Sequence, residues 1–224
     1  MRGVRLLHIL ILHQFFAVNG SVPGRRFFEI GRRLIQQGHQ VTVITGNSEL
    51  GLPLGRKKIG LLQKDGMAIV VFNLGCPQVK EGERKGINAT FARRAARQGR
   101  RLPRPDLVLA SSPPLATAGP AYSLSCFYEV PLIMEIRKIE AVPLDYRDSL
   151  WKRIFTPPEQ RTALKAFSRA QSIIATSPGI AMNVAQITSP GKTVYVLPDE
   201  LDFETLFQEF NNILTAMQLS KDKN

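Results

Sequence analysis

The feature that most constrains this chain is a continuous aliphatic run, Leu6 to Leu12, followed by a loop, an amphipathic segment and a second β-branched run. Within Arg25 to Gln37, Phe27, Phe28, Ile30, Leu34 and Ile35 recur at helical spacing, and Gly38 stands where a positive φ commonly ends a helix. Val41-Thr42-Val43-Ile44-Thr45 then reads as a strand closed by Gly46. A strand that is apolar at every position has to be covered on both faces, and two such strands joined by a helix lie parallel. Residues 6–45 therefore predict one strand-helix-strand unit of a doubly covered parallel sheet.

The alternation continues along the chain. After a polar, Gly-rich loop reaching about Lys64, Asp65-Gly66 predicts a turn and Met67 to Phe72 a third strand. Leu107 to Ala110 follows the breaker Pro103-Arg104-Pro105-Asp106 as a fourth, and residues 114–128 form a helix of small residues. Pro131 to Ile136, Ser172 to Ala175 and Thr193 to Leu197 read as the remaining strands, with helices over Glu159 to Gln171 and Pro178 to Ala185 between them. The expectation is an α/β fold, a single Rossmann-like doubly wound parallel sheet of about seven strands over residues 1–207, with a C-terminal helix and polar tail over 208–224. The 224 residues are enough for one sizeable core.

Ligands of such sheets bind beyond the carboxyl ends of the strands, which directs attention to loops 13–24, 46–64, 73–85, 111–113, 136–150 and 176–178. In the first, Asn19-Gly20-Ser21-Val22-Pro23-Gly24 precedes a helix N-terminus, where free N–H groups suit a phosphate oxygen and glycines permit close approach. The same glycines would also serve a tight turn, and the segment matches neither G-x-G-x-x-G nor the P-loop. Of the three histidines, His8 and His39 read as structural, while His13 ends the first strand and is placed for chemistry. Ser111, Ser112 and Ser177 lack the G-x-S-x-G elbow of a nucleophile. The spacing of Glu135, Glu140, Asp145 and Asp148 defines no acid and base pair. Two cysteines, Cys76 and Cys126, with three histidines provide no zinc-site spacing, so no metal is expected.

The net charge of +12 favours anionic partners, and the segment Lys80 to Arg104 supplies +7 of it from nine basic and two acidic residues. On a helix from about Ile87 to Arg101, Phe91, Ala92, Ala95 and Ala96 form a thin apolar stripe, while Arg93, Arg94, Arg97, Arg100 and Arg101 cover the rest. That pattern fits a solvated face or contact with anionic headgroups. Nucleic acid would use the same charges, but a single aromatic and the lack of any RNP, KH, zinc-finger or helix-turn-helix pattern argue against it. The N-terminal MRGVRLLHILIL has the arginines of a signal peptide, yet His8 interrupts the apolar run and no small-residue cleavage site follows. No run approaches the roughly 20 apolar residues of a membrane span. The expected location is the cytoplasm, with peripheral attachment to the inner face of the membrane as the alternative, so the Asn-x-Ser/Thr matches at Asn19 and Asn88 carry no weight.

Four segments in order resemble the N-terminal, acceptor-side domain of family 4 glycosyltransferases of the GT-B fold: Gly24 to Leu34 with Gly38 to Gly46; Pro105-Asp106-Leu107-Val108-Leu109-Ala110-Ser111-Ser112-Pro113-Pro114; Val130 to Arg137; and Ile173 to Gly179. The resemblance implies transfer of a sugar from a nucleotide-sugar donor to a saccharide acceptor, often lipid-linked, in a cleft between two Rossmann-like domains. It implies no cofactor, since the nucleotide-sugar is a substrate. It would place Gly20, Ser21 and Gly24 at the donor diphosphate and Arg25, Ser111, Ser112 and Glu135 on the acceptor side. His13 and Arg137 are then the catalytic candidates, because arginines stabilise charge developing on a leaving diphosphate.

The chain also departs from the family pattern. Lys138 stands where the family commonly has Asp, and Val196-Leu197-Pro198-Asp199-Glu200-Leu201-Asp202 carries Asp199 and Glu200 in place of Asn and Gly. The donor-binding domain with its paired-glutamate motif is absent from the sequence. Two expectations follow: a transferase half completed by a donor-binding partner chain, or a non-catalytic binding module or truncated relic of such an enzyme.

Overall fold

A computed structural model describes residues 6–18, 22–50, 54–75, 81–138 and 156–221. In chain order the elements are β1 (His8–Leu12), α1 (Val22–Gln36), β2 (Gln40–Gly46), β3 (Ile59–Lys64), β4 (Met67–Phe72), α2 (Glu81–Gly99), β5 (Leu107–Ser112) and a 3-10 turn (Leu115–Thr117). They continue with α3 (Ala118–Tyr128), β6 (Leu132–Ile136), α4 (Pro158–Arg169), β7 (Ser172–Ala175), α5 (Pro178–Ile187), β8 (Val194–Val196) and α6 (Phe203–Lys221). One sheet holds the strands in the order β3-β4-β2-β1-β5-β6-β7-β8. Every pairing is parallel except β3 with β4.

The strand parity sorts the core into two layers. Leu10, Leu12, Val108, Ala110 and Met134 point to one face, where Phe91 and Ala95 of α2, Leu124 of α3, Phe167 of α4 and Val184 of α5 cover them. Ile9, Ile11, Val41, Val43, Leu109 and Ile133 point to the other, under Phe27, Ile30 and Leu34 of α1 and Leu206, Phe210 and Leu214 of α6. The C-terminal helix begins at Phe203, five residues before the expected position, because Asp202 caps it. The Asp202 carboxylate accepts from Thr205 N (3.0 Å) and Thr205 Oγ1 (2.6 Å), which also holds its pKa below the usual value.

The sheet has eight strands rather than about seven. The additional one, β3, forms a hairpin with β4 across the predicted Asp65-Gly66 turn, where both residues adopt positive φ (47° and 82°) as a type I′ connection requires. It lies at the sheet edge, and Leu61 is 82% exposed, so no buried face imposes the alternation by which a strand is read from sequence. Gly38 ends α1 at φ 88° as expected. His8 and His39 are structural: His8 Nε2 lies 2.9 Å from Thr42 Oγ1, and His39 Nδ1 accepts from Leu7 N at 3.1 Å.

β1 and β5 are the central neighbours from which the chain proceeds in opposite directions across the sheet, towards β2 on one side and β6 on the other. This is the switch point at which α/β sheets open a crevice.

Candidate functional site

At the carboxyl end of the sheet, on the α1 and α6 face, four charged side chains from three elements meet. Glu135 in β6 is 2% exposed and accepts from Ser111 Oγ of β5 at 2.6 Å. Arg137, just past β6, lies on the same side and places Nη1 3.8 Å from Glu135 Oε1. Arg26 of α1 brings Nε to 3.3 Å from the same oxygen. Both guanidinium groups then turn to Asp199 on the β8–α6 loop: Arg26 Nη1 donates to Oδ1 at 2.9 Å, Arg137 Nη1 donates to Oδ1 at 2.8 Å, and Arg137 Nη2 donates to Oδ2. Arg26 Nη2 also donates to the Leu197 carbonyl at 3.3 Å. Buried ions persist only when paired in this way.

His13 follows β1 on the same face. It is buried, its ring tilts against Phe27 with centroids 5.0 Å apart, and neither ring nitrogen has a hydrogen-bond partner among the described residues. Burial, reinforced by the Arg137 charge, lowers its pKa to about 3. His13 is therefore held as the neutral imidazole, not the imidazolium, at physiological pH.

The other predicted residues fall into distinct environments. Gly24 is packed against its own loop: a Cβ there would stand 2.2 Å from the Phe15 carbonyl oxygen and 2.6 Å from Ala17 N, so only glycine allows this approach. Gly20, Ser21, Glu140, Asp145, Asp148 and Cys76 lie outside the described residues. Ser112 is fully buried with Oγ unpartnered, on the opposite face from Ser111. Ser177 caps α5, accepting from Ile180 N. Lys138 and Glu200 are exposed, and Glu200 lies outside the left-handed region. Arg25 points outward with its side chain 63% exposed, 4.0 Å from Glu29. It lines a cavity of about 420 Å³ between the start of α1 and the β8–α6 loop, together with Arg26, Arg32, Asp199, Leu201 and Phe203.

The charged group nearest the rim on α1 is Arg26 rather than the expected Arg25, and its partner is Asp199, which departs from the family pattern. The helical period separates the two arginines: Arg26 shares the inward face of α1 with Phe27, Ile30 and Leu34, whereas Arg25 lies with Glu29 and Arg32. No local signal marks Asp199, which reaches Arg26 across 173 positions.

The predicted basic helix is present as α2, over Glu81–Gly99 rather than about Ile87 to Arg101, so that Arg100 and Arg101 lie on the turn after it. Arg93, Arg97, Arg100 and Arg101 are exposed, and among the described residues none of these, nor Arg94, meets a carboxylate. Arg94 donates to the Asn73 carbonyl at 2.7 Å. Arg100 donates to Ser123 Oγ at 2.8 Å and lies over the Phe127 ring, itself 53% exposed. Among the described residues, no helix is long and apolar enough to cross a membrane.

A doubly wound α/β half with charged side chains gathered at its carboxyl rim is the architecture of one domain of a GT-B glycosyltransferase. The Glycosyltransferase Family 4 model matches residues 23–203, and the chain belongs to that family. No curated protein matches the chain by sequence. Among solved structures, a segment of sucrose-phosphate synthase from Thermosynechococcus elongatus is similar with a TM-score of 0.59 at 12% identity, covering 94% of this chain and 98% of that one. UGT89C1 from Arabidopsis thaliana, complexed with UDP-L-rhamnose, is similar with a TM-score of 0.55 at 12% identity, covering 89% of this chain and 54% of that one. A structure described as trehalose-6-phosphate from E. coli bound with UDP-2-fluoro glucose gives 0.51 at 10% identity, with coverage of 80% and 42%. At these identities the likeness is one of fold. The chain spans 48% of the longer sucrose-phosphate synthase chain.

Proposed function

We propose that this chain forms the acceptor-side wall of a glycosyl-transfer cleft, in which a sugar passes from a nucleotide-sugar donor to a saccharide acceptor, lipid-linked acceptors included. A donor-binding half, supplied by a partner chain, completes the cleft. The observation that carries the reading is the family 4 match across residues 23–203. The UDP-2-fluoro glucose and UDP-L-rhamnose bound in two of the similar structures support a nucleotide-sugar as donor. In this reading Gly20, Ser21 and Gly24 face the donor diphosphate, and Arg25 lines the way into the acceptor side. Ser111 and Glu135 hold Arg26 and Arg137 in place, and the arginines stabilise the leaving diphosphate. His13, held neutral, contributes shape and hydrogen-bonding capacity. No cofactor takes part.

The basic face of α2 favours a place for this half on an anionic membrane surface in the cytoplasm, with Phe127 beside Arg100 as an apolar contact. A lipid-linked acceptor would be met there. The isolated chain has low activity, because positioning needs both walls of the cleft.

The test is to capture the tagged chain from its native host and assay the captured material for transfer of labelled sugar from nucleotide-sugars to endogenous acceptors. Transfer is expected with the captured partner and not with the chain alone, and Arg25→Ala should reduce it. A folded chain that captures no partner and shows no turnover would make this a binding module instead.

A further inference from the structure

The two edges of the sheet are finished differently. β3, at one edge, is flanked by Arg56, Lys57 and Lys58 before it and closed by Lys64, all exposed. Pairing two copies of β3 antiparallel would set the first three against the last, with only Asp65 to offset them, and charge of this kind keeps an edge from joining its own copy. β8, at the other edge, has no charged residue from Thr193 to Pro198. Its flanks are of opposite sign. Lys192 precedes it, and Asp199 and Glu200 follow, the second exposed and without an ion pair among the described residues.

The backbone of β8 shows which of its groups are free. Ile173 N donates to the Thr193 carbonyl at 3.1 Å and Leu197 N donates to the Ala175 carbonyl at 2.8 Å, so Thr193, Tyr195 and Leu197 turn their peptide groups toward β7. The alternation along a strand then turns those of Val194 and Val196 to the open edge. About a two-fold axis at Tyr195, an antiparallel copy sets Val194 opposite Val196 and Val196 opposite Val194, the pairing in which both N–H···O bonds are exchanged. The same register makes Lys192 of one copy and Glu200 of the other diagonal neighbours.

A strand of 3 residues buries too little by itself to hold two chains together, and α5 supplies the remaining contact. It packs on the same face of the sheet as Val194, and no residue from Ala170 to Gly191 is charged. Pro178, Met182 and Ala185 share one side of the helix and are exposed, Met182 to 67%, while Val196 is 39% exposed on the same face of the sheet. In a chain of net charge +12, an uncharged face is where two copies can meet without repulsion.

We propose that the chain associates with a second copy of itself through β8 and α5, antiparallel about Tyr195, so that one sheet runs through both. The pairing reverses the strands, so the two carboxyl rims point in opposite directions and both stay open. The proposal therefore holds whether or not the chain takes part in sugar transfer.

The test is analytical ultracentrifugation of the purified full chain, with amide hydrogen exchange read at single residues. Wild type should pass from 25.0 kDa to twice that mass as its concentration rises. The amides of Val194 and Val196 should gain protection over the same range, while that of Leu197, already bonded to β7, should not change. Val196→Pro removes an outward N–H and leaves the bonds to β7 in place, and Met182→Lys sets like charges in the contact, so each should weaken the dimer about tenfold. Leu61→Ser, on the opposite edge, should leave it unchanged. A chain that stays monomeric up to its solubility limit overturns the proposal. So does a dimer that Leu61→Ser dissolves, or one in which the Val194 and Val196 amides gain no protection. Should Val196→Pro unfold by circular dichroism, Glu200→Lys takes its place at an exposed turn, and a dimer that neither it nor Met182→Lys weakens would sink the idea.

Discussion

The arginines of α1 and those of α2 are the same residue put to opposite uses. Every α1 arginine meets a carboxylate: Arg25 and Arg32 meet Glu29, Arg26 meets Glu135 and Asp199, and Arg33 meets Glu204. Along α2 and the turn that follows it, Arg94 and Arg100 meet a carbonyl, a hydroxyl and an aromatic face, and no ion pair forms with Arg93, Arg97 or Arg101 among the described residues. The difference lies in what each helix packs beside. α1 shares its layer with α6 and borders the rim where β6 and β8 end, so acidic groups from distant segments reach it. α2 turns its outer face to solvent, and among the described residues no carboxylate pairs with its arginines.

The comparison breaks most sharply at Arg26. Replacing it with Met leaves Glu135 buried with Ser111 and a more distant Arg137, and losing one member of a buried pair costs about 3 kcal/mol. Urea unfolding should show this loss, while Arg97→Ala should stay within about 0.5 kcal/mol of wild type. Equal effects from the two would mean that burial does not distinguish the helices. The converse experiment is on α2: replacing Arg93, Arg97 and Arg101 together with Gln should leave stability near wild type. It should weaken sedimentation with phosphatidylserine vesicles about 100-fold, at about 1 kcal/mol per residue. An unchanged vesicle affinity would assign those arginines to solvent.

The two helices were not equally legible. A solvated arginine face is written in the local sequence of α2, because consecutive basic residues cannot all be buried. The quartet around Arg26 is assembled from α1, β5, β6 and the β8–α6 loop, and no local pattern encodes a contact across 173 positions. What could be read was which end of the sheet would hold the site, since the run of parallel strands fixes where loops converge. Glu135 and Arg137 came from the family resemblance, not from that geometry. The alternation of buried strands was legible for the same reason that edge strand β3 was not: only two-sided burial forces every position to be apolar. The closeness of Gly24 to Phe15 and Ala17 was equally invisible, because a glycine required by backbone packing reads the same as one serving a ligand.

His13 extends the comparison to a charge that is refused. Its pKa lies near 3 in the folded chain against an ordinary 6.5, so between those values the unfolded chain binds the additional proton. Folding stability then rises with pH across this window, and its His13 contribution, complete above about 6.5, is lost progressively as pH falls from there. The slope is about 1 kcal/mol per pH unit for one proton. His13→Leu should flatten the stability profile between pH 6.5 and 5, above the range where most carboxylates titrate. A variant retaining the full slope would place its origin in another group, with His39, whose pKa burial also lowers, as the first to examine.

The smallest effect belongs to the residue next to the largest. Arg25 is one step from Arg26, but the helix turns it by about 100°, from the buried rim to the mouth of the cavity, where its side chain is 63% exposed. Its pair with Glu29 is long, at 4.0 Å, and solvent screens it, so Arg25→Ala should change stability by less than about 0.5 kcal/mol. That near-neutrality makes it an informative probe of function on this helix. A fall in sugar transfer without a fall in stability would mean that Arg25 acts on a ligand at the cavity mouth. A fall in stability comparable to that of Arg26→Met would mean that its charge already belongs to the rim cluster, and the division of α1 into a buried inner face and a solvent-screened outer one would fail.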